Sequence, residues 1–296
     1  MNSRIESLGV FENQDASINC SIELIKRAAT ECLAKSRHLK SEIGVLVNVS
    51  IYRDHYFAEP AFATFLQNEL GINHDLTTYA GPRTLAFDLY NGSLGFLSAC
   101  QAVGAMISQG TVKAGLVVSG DALDYPISEK GDSPGFRPVG AAMLLDRSPE
   151  PDQGFYSFLF QHSVDHLEAY QSSAVHENKQ YYLVVKKDPD LENLFLQAIA
   201  QAVSRFLARR RLEMECFDLI IPPQISRNFI NRMSTTLSVS REKLVDVTCE
   251  DGDLFTSSLP FAMEHVLRNG LARPGQKALI VNVGSGLQVG CATYTF

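Results

Sequence analysis

Ser93 follows the turn pair Asn91-Gly92 and stands where a long apolar helix, SLGFLSACQAVGAMISQG, begins. A helix start presents unpaired backbone N–H groups and the positive end of the helix dipole. Such a setting suits an acylated side chain and the oxyanion that forms beside it. A serine hydroxyl ionises poorly, however, and needs an adjacent base before it can attack. The structural alternative is an ordinary N-cap serine. Asp253, in GDLFTSSLP, is open to two readings as well: a functional carboxylate, or a turn aspartate bonded to nearby backbone. Gly284-Ser285-Gly286 allows close backbone approach or simply a tight turn, and Pro222-Pro223 reads as a rigid strand exit.

Metal chemistry has no support in the spacing. The 7 histidines show no HExxH arrangement. His162 and His166 are spaced to share a helix face and read as a solvated or structural pair. The 6 cysteines are scattered without CxxC spacing, so we expect reduced thiols in a cytosolic protein with no metal and no cofactor.

The elements that must position these residues alternate along the chain. In the first half, RIESLGVF and IGVLVNVSIY read as strands, SIELIKRAATECLAKS and FATFLQNELG as helices, and TLAFDL as a strand before the apolar helix. That helix is apolar or small nearly all round and should be buried on most faces. VKAGLVVSGD follows as a buried strand. In the second half, Asp188-Pro189 is expected to open a helix bearing Leu191, Phe195, Ala198, Ala202 and Phe206 on one face. CFDLIIPPQIS and KLVDVT read as strands, SLPFAMEHVLRNG as a helix, and QKALIVNVGSG as the closing strand and loop. The middle of the chain is less regular, and SVDHLEAYQSSAVHENKQ reads as a polar cover.

The halves echo one another. Ser93-Leu94-Gly95-Phe96 opens one helix and Ser258-Leu259-Pro260-Phe261 opens its counterpart; each helix closes at a glycine, Gly110 or Gly270, before a Leu/Val strand. We read this as an internal duplication, residues 1–150 and 151–296, packed as helix–sheet layers around shared buried helices. Length and composition, 296 residues with 45% hydrophobic, fit one large globular unit. A net charge of −7 argues against general nucleic-acid binding. No segment has the apolar length to span a bilayer, and MNSRIESLGVFENQ lacks the charge and apolar order of a signal peptide.

The run Phe87-Asp88-Leu89, turn, Ser93, Gly95-Phe96, buried helix, Gly110, VVSGD resembles the nucleophile region of the β-ketoacyl-ACP synthase III family. Ile221-Pro222-Pro223-Gln224-Ile225-Ser226 is similar to that family's Pro-His-Gln-Ala-Asn segment, and Gly252-Asp253-Leu254-Phe255 to its Gly-Asn segment. The last residues, VNVGSGLQVGCATYTF, resemble its closing glycine-rich loop and strand. The resemblance implies an α/β thiolase-like fold, a duplicated α-β-α-β-α five-layer architecture. It also implies that the family's Cys, His and Asn are replaced by Ser93, Pro223 and Asp253.

On this resemblance, the Ser93 and Ser285 amides form the oxyanion site and Asp253 assists Ser93 directly, in place of the missing histidine. Pro223 donates nothing from its side chain, and an ionised Asp253 is acceptor-only. Losing two donors and adding a like charge disfavours decarboxylative condensation, since each such donor is worth about 3 kcal/mol. His55 is a weaker candidate base. The implied substrates are acyl thioesters, carried by acyl carrier protein or coenzyme A. The short link before the first helix and a chain with no Trp favour the carrier. Arg227 lies near a carrier-contacting position of the family. Arg205, Arg209, Arg210 and Arg211 suit either an acidic carrier or a helix dipole. We expect an acyltransferase, as a homodimer or a heterodimer with a ketosynthase III-like protein. The alternative is a catalytically silent partner of such a protein.

Overall fold

The structure is a computed structural model, and it describes residues 2–13, 20–54, 59–73, 83–123, 127, 131–177, 179–249 and 252–296. The first half runs β1 (Ser3–Glu12), α1 (Ser21–Lys35), β2 (Ile43–Asn48), α2 (Phe62–Leu70), β3 (Leu85–Asp88), α3 (Gly95–Ser108), β4 (Ala114–Gly120) and β5 (Val139–Arg147). The second runs β6 (Gly154–His162), β7 (Tyr170–Glu177), β8 (Gln180–Lys187), α4 (Leu191–Arg210), β9 (Leu219–Ile221), α5 (Arg227–Thr236), α6 (Ser258–Arg268), β10 (Lys277–Gly284) and β11 (Gln288–Thr295).

The strands form one sheet in the order β3-β2-β4-β5-β1-β6-β11-β10-β9, with β7-β8 apart as a hairpin. Its seam is the bridge between Ser3 and Phe155. Outward from that seam each half repeats one pattern. The first strand (β1, β6) pairs antiparallel with the last (β5, β11), and this pairs antiparallel with the strand before it (β4, β10). That strand in turn pairs in parallel with the strand that follows the half's first helix (β2, β9). In the first half β2 then pairs in parallel with β3. In the second half the corresponding place holds a single parallel bridge, Ile220 to Leu244.

KLVDVT is thus not a regular strand. The backbone groups that would extend a ladder are taken by a side chain: buried Gln224 donates from Nε2 to Val245 O (3.1 Å) and accepts from Val247 N (2.9 Å). The opening of α4 also differs from expectation. The helix starts at Leu191 with Asp190 as N-cap, and Asp188 accepts from Asp190 N in the turn ahead of it.

Apolar periodicity sets the layers. Ile25, Ala28 and Cys32 of α1 and Phe62 and Leu66 of α2 cover one outer face with Leu46 and Leu116. Phe195, Ile199 and Phe206 of α4 and Phe229 and Met233 of α5 cover the other with Leu279 and Val281. Between them lies one core that takes Phe96, Leu97 and Val103 from α3, Leu259, Met263 and Val266 from α6, and inward residues of both half-sheets such as Val47, Met143 and Ile280. This is the duplicated α-β-α-β-α arrangement. Among the described residues no helix is long and apolar enough to cross a membrane.

The end of β3 is fixed by Asp88, whose carboxylate accepts from the first turn of α2, Phe62 N (2.7 Å) and Ala63 N (2.9 Å). It also accepts from Asn48 Nδ2 (3.1 Å) and pairs with Arg53 Nη1 (3.0 Å), with 8% of its side chain exposed. A buried carboxylate is tolerated only when so saturated. Asp88→Ala should therefore cost about 3 kcal/mol of stability, measured by urea denaturation, with Asp88→Asn costing less; an unchanged midpoint for the alanine variant would refute this role.

Candidate active site

Ser93 lies where the two halves touch. It is not the N-cap of α3, which is Leu94, so the capping alternative is corrected. Its Oγ donates to Val283 O at 2.5 Å, and its own carbonyl accepts from Asn282 Nδ2 at 2.9 Å. Ser93 is thus held from both ends by β10, out of line with the helical turn it precedes. Two glycines permit the approach. Gly92 has φ +53°, and a Cβ there would lie 2.9 Å from both the amide nitrogen and the Oγ of Ser285. A Cβ on Gly284 would lie 2.9 Å from Asn91 O and Leu94 Cβ. Any side chain at either position would force apart the surfaces that hold the Ser285 amide against Gly92.

Ser93, Ser285 and Asp253 line one cavity of about 360 Å³, together with Tyr170, Lys187 and Phe255. Asp253 is fixed by backbone: its N–H donates to Gly135 O and its carbonyl accepts from Arg137 N, both at 2.9 Å. Its carboxylate accepts from Phe255 N at 2.7 Å, so the turn-aspartate reading holds for one oxygen while the group still lines the cavity. Burial is the chief reason its pKa is pushed up to about 7, with the Phe255 amide and Lys187 pulling the other way and Asp121 adding to the rise. Asp121 lies buried behind it, accepting from Ile51 N and Tyr52 N (both 2.8 Å) and from the Thr256 hydroxyl. Its own burial raises it to about 6. A carboxyl group near 7 can both take and give a proton at neutral pH.

The structure does not bring every sequence candidate together. Pro223 is buried and does not line the cavity; Ile225, two residues on, does. Gln224 beside it is structural, tying Pro222 O, Val245 O and Val247 N, and its carbonyl accepts from Leu254 N. Arg227 lies outside the cavity, 74% exposed, 3.6 Å from Asp246, in a surface groove with Cys249 and Gly252. His162 ends β6 and His166 lies in the short turn Val164–His166, so they share no helix. Arg209 and Arg210 occupy the last turn of α4 and Arg211 caps it, while Arg205, more than a turn earlier, donates to Gln161 Oε1 at 3.4 Å. His55 lies outside the described residues. Among the described residues no His, Cys, Asp and Glu group could hold a metal.

Sequence reasoning missed Tyr170 and Lys187. They are cross-strand partners in the β7–β8 hairpin, whose first strand lies in the segment read as a polar cover. A signal was present: Leu183 and Val185 are buried, and the period of two places Lys187 next on the same face.

Residues 207–296 match the family described as 3-oxoacyl-[acyl-carrier-protein (ACP)] synthase III C terminal. Over nearly the whole length the chain aligns with curated relatives. It is 26% identical to the β-ketoacyl-[acyl-carrier-protein] synthase III of Sodalis glossinidius, covering 97% of this chain and 88% of the relative. It is 24% identical to that of Escherichia coli K12, with the same coverage. The chain has a thiolase-like fold and is similar over nearly its whole length to β-ketoacyl-ACP synthase III proteins. Its fold superposes on Pseudomonas aeruginosa FabH with a TM-score of 0.82 at 20% identity, covering 100% of this chain and 98% of the other. A Xanthomonas campestris OleA variant gives 0.84 at 17% identity, with 100% and 99% covered.

The raised Asp253 pKa sets a pH signature. Unfolded, the group ionises near its ordinary value of 3.8; folded, near 7. Below about pH 4 it is neutral in both states and costs nothing. Between about 4 and 7 the unfolded chain loses the proton first, so the folded state loses stability, and above that window the penalty is constant. Asp253→Asn should match the parent near pH 4 and exceed its stability at pH 8 by about 1–2 kcal/mol, after allowance for screening through the open cavity. Urea denaturation at the two pH values checks this, and an equal difference at both would contradict it.

Proposed function

We propose that the protein is an acyltransferase acting on acyl thioesters, with Ser93 accepting the acyl group. The observation that carries this reading is the shared cavity of Ser93, Asp253 and the Ser285 amide, with Asp253 near 7. In the first step Ser93 Oγ leaves its bond to Val283 O and attacks the thioester carbonyl. Its proton passes to Asp253, directly or through water, and then to the departing thiolate. The Ser93 and Ser285 amides face the developing oxyanion, a type of contact worth about 3 kcal/mol per donor. In the second step Asp253 takes the proton of an oxygen, nitrogen or carbon nucleophile that collects the acyl group. Ordinary decarboxylative condensation is disfavoured, because Pro223 supplies no donor and lies off the cavity wall. No metal or cofactor enters.

The relatives' names speak of acyl carrier protein, and X. campestris OleA binds lauric acid and lauroyl-CoA. The same donor classes are proposed here, with the carrier favoured and exposed Arg227 meeting it at the groove beside the cavity. We also propose that the two copies of the fold unit divide at residues 150 and 151, and that the protein works in the cytosol as a dimer.

A second reading, a silent partner of an active ketosynthase III-like protein, draws on two observations. The 2.5 Å bond to Val283 O engages the Ser93 hydroxyl. Strand β3 is at the sheet edge, with Leu85 55% and adjoining Tyr90 50% exposed, as suits pairing with another chain.

Intact-mass analysis after incubation with acyl-carrier and acyl-CoA thioesters separates the two. Acyltransfer predicts an adduct that Ser93→Ala abolishes and that Gly92→Ala, by displacing the Ser285 amide, slows at least tenfold. No adduct with any donor, or one indifferent to Ser93→Ala, would reject the serine and leave the partner reading. That reading predicts a stable heterodimer on co-expression with a cysteine-bearing homologue.

A further inference from the structure

We propose that Lys187 is the binding residue for a carboxylate on the acceptor, so that the acceptor is an acid rather than a neutral alcohol or amine. This rests on the acyltransfer reading and names the class of its second substrate. The strand pattern is the first reason. Leu183 (3% exposed) and Val185 (0%) fill the inward face of β8, and Lys187 continues that face at the cavity wall. A lysine on an inward face is costly to desolvate unless its charge meets a partner.

The second reason is what surrounds the ammonium. Nζ donates to Pro134 O at 2.9 Å and stands 5.7 Å from the Tyr170 ring centroid. Among the described residues its hydrogen bond is to this neutral carbonyl, although an ammonium has three donors. The other charges at or near the cavity, Asp253 aside, are engaged elsewhere, Asp190 by accepting from Asn193 Nδ2. Arg232 is paired with Glu192 at 2.9 Å and bonded to Asn193. Asp132 accepts from the Lys187 backbone N–H, and Asp188 from Asp190 N. Burial lowers the Lys187 pKa, while the carboxylates of Asp253 and Asp132 oppose that fall.

The third reason is its place relative to the chemistry. Lys187 Nζ contacts the Pro134–Gly135 turn, and the N–H of Asp253 donates to the carbonyl of that same turn. A carboxylate on Lys187 would therefore hold a neighbouring nucleophile within the cavity that Asp253 and Ser93 share. The acyl–oxygen bond of acylated Ser93 breaks as the acyl–nucleophile bond forms. Asp253 takes the proton of the nucleophile and returns it to Ser93 Oγ, while the carboxylate and the ammonium are unchanged.

The test begins without acylation. Modification of Lys187 by an amine-reactive acylating reagent, read by peptide mass spectrometry, should slow several-fold in the presence of 3-hydroxybutyrate and not of 3-hydroxybutanamide. Equal protection by both, or by neither, would overturn the carboxylate site whatever Ser93 does. Turnover is the second arm, with the Ser93 adduct followed by intact mass. Hydroxy or amino acids should discharge it at least tenfold faster than their amides. Lys187→Met should remove that preference, read as the ratio of discharge rates from adduct already formed, and Lys187→Arg should restore part of it. A preference unchanged in Lys187→Met would refute the proposal. Failure of the parent chain to form any Ser93 adduct would instead defeat the acyltransfer reading, leaving the protection result to stand by itself. Release of CO2 from a carboxylate-bearing thioester acceptor, with matching loss of its carboxylate, would overturn the retained-acid form of the proposal.

Discussion

The contact on which this molecule depends is the one between residues 91–94 of the first half and 282–285 of the second. It joins short side chains to backbone across a close approach of the two segments. Ser93 uses both its hydroxyl and its carbonyl on β10, through Val283 O and Asn282 Nδ2. Gly92 and Gly284 leave no room for a side chain between the surfaces. Hydrogen bonds in this part-buried seam are costly to break unless something replaces them. The seam therefore fixes the two halves in one relation and delivers a hydroxyl and an amide to the same wall of a cavity. Reaction at Ser93 requires exchange of the Val283 bond for one to a base, a rotation of one side chain and not a movement of the fold.

Much of the fold was legible because the duplicated pattern is carried by period and punctuation. The apolar all-round helix that became α3, the Gly110 and Gly270 stops and the Leu/Val strands beyond them each constrain burial locally, and burial decides layers. The failures share one cause. KLVDVT has strand chemistry, but a buried glutamine distant from it in sequence takes the backbone groups a ladder would use. Asp188 has cap chemistry, but spends it on the turn before the helix. Periodicity sees which face is apolar; it does not see which polar side chain arrives from elsewhere.

The site was legible only where a motif surrounds the residue. Ser93, Asp253 and Ser285 could be placed by their neighbours in the chain, and they do share a cavity. Pro223 shows the limit. Its motif persists in Gln224, which organises Pro222, Val245, Val247 and Leu254. The segment's backbone is thus held by Gln224, independently of what stands at Pro223. Replacing an imidazole by a proline ring at that position removes a donor without loosening the turn, because the turn is held by the glutamine.

What replaces the lost donor is then a question of which group is desolvated next to Asp253, and the hairpin β7–β8 answers it. Among the described residues this hairpin has no counterpart in the first half, so the duplication could not foretell it. It contributes Tyr170 and Lys187 from facing strand positions. Lysine and histidine are not equivalent here. A neutral imidazole can give and accept hydrogen bonds across a small pH change, whereas an ammonium is a fixed cation with donors only. Exchanging one for the other turns a site built to polarise a carbonyl into one that favours a permanent anion. On the proposed reading, Asp253 takes the proton-accepting role and Lys187 the anion-binding role. The altered motif therefore describes a division of labour, and the partner that completes it comes from outside the motif.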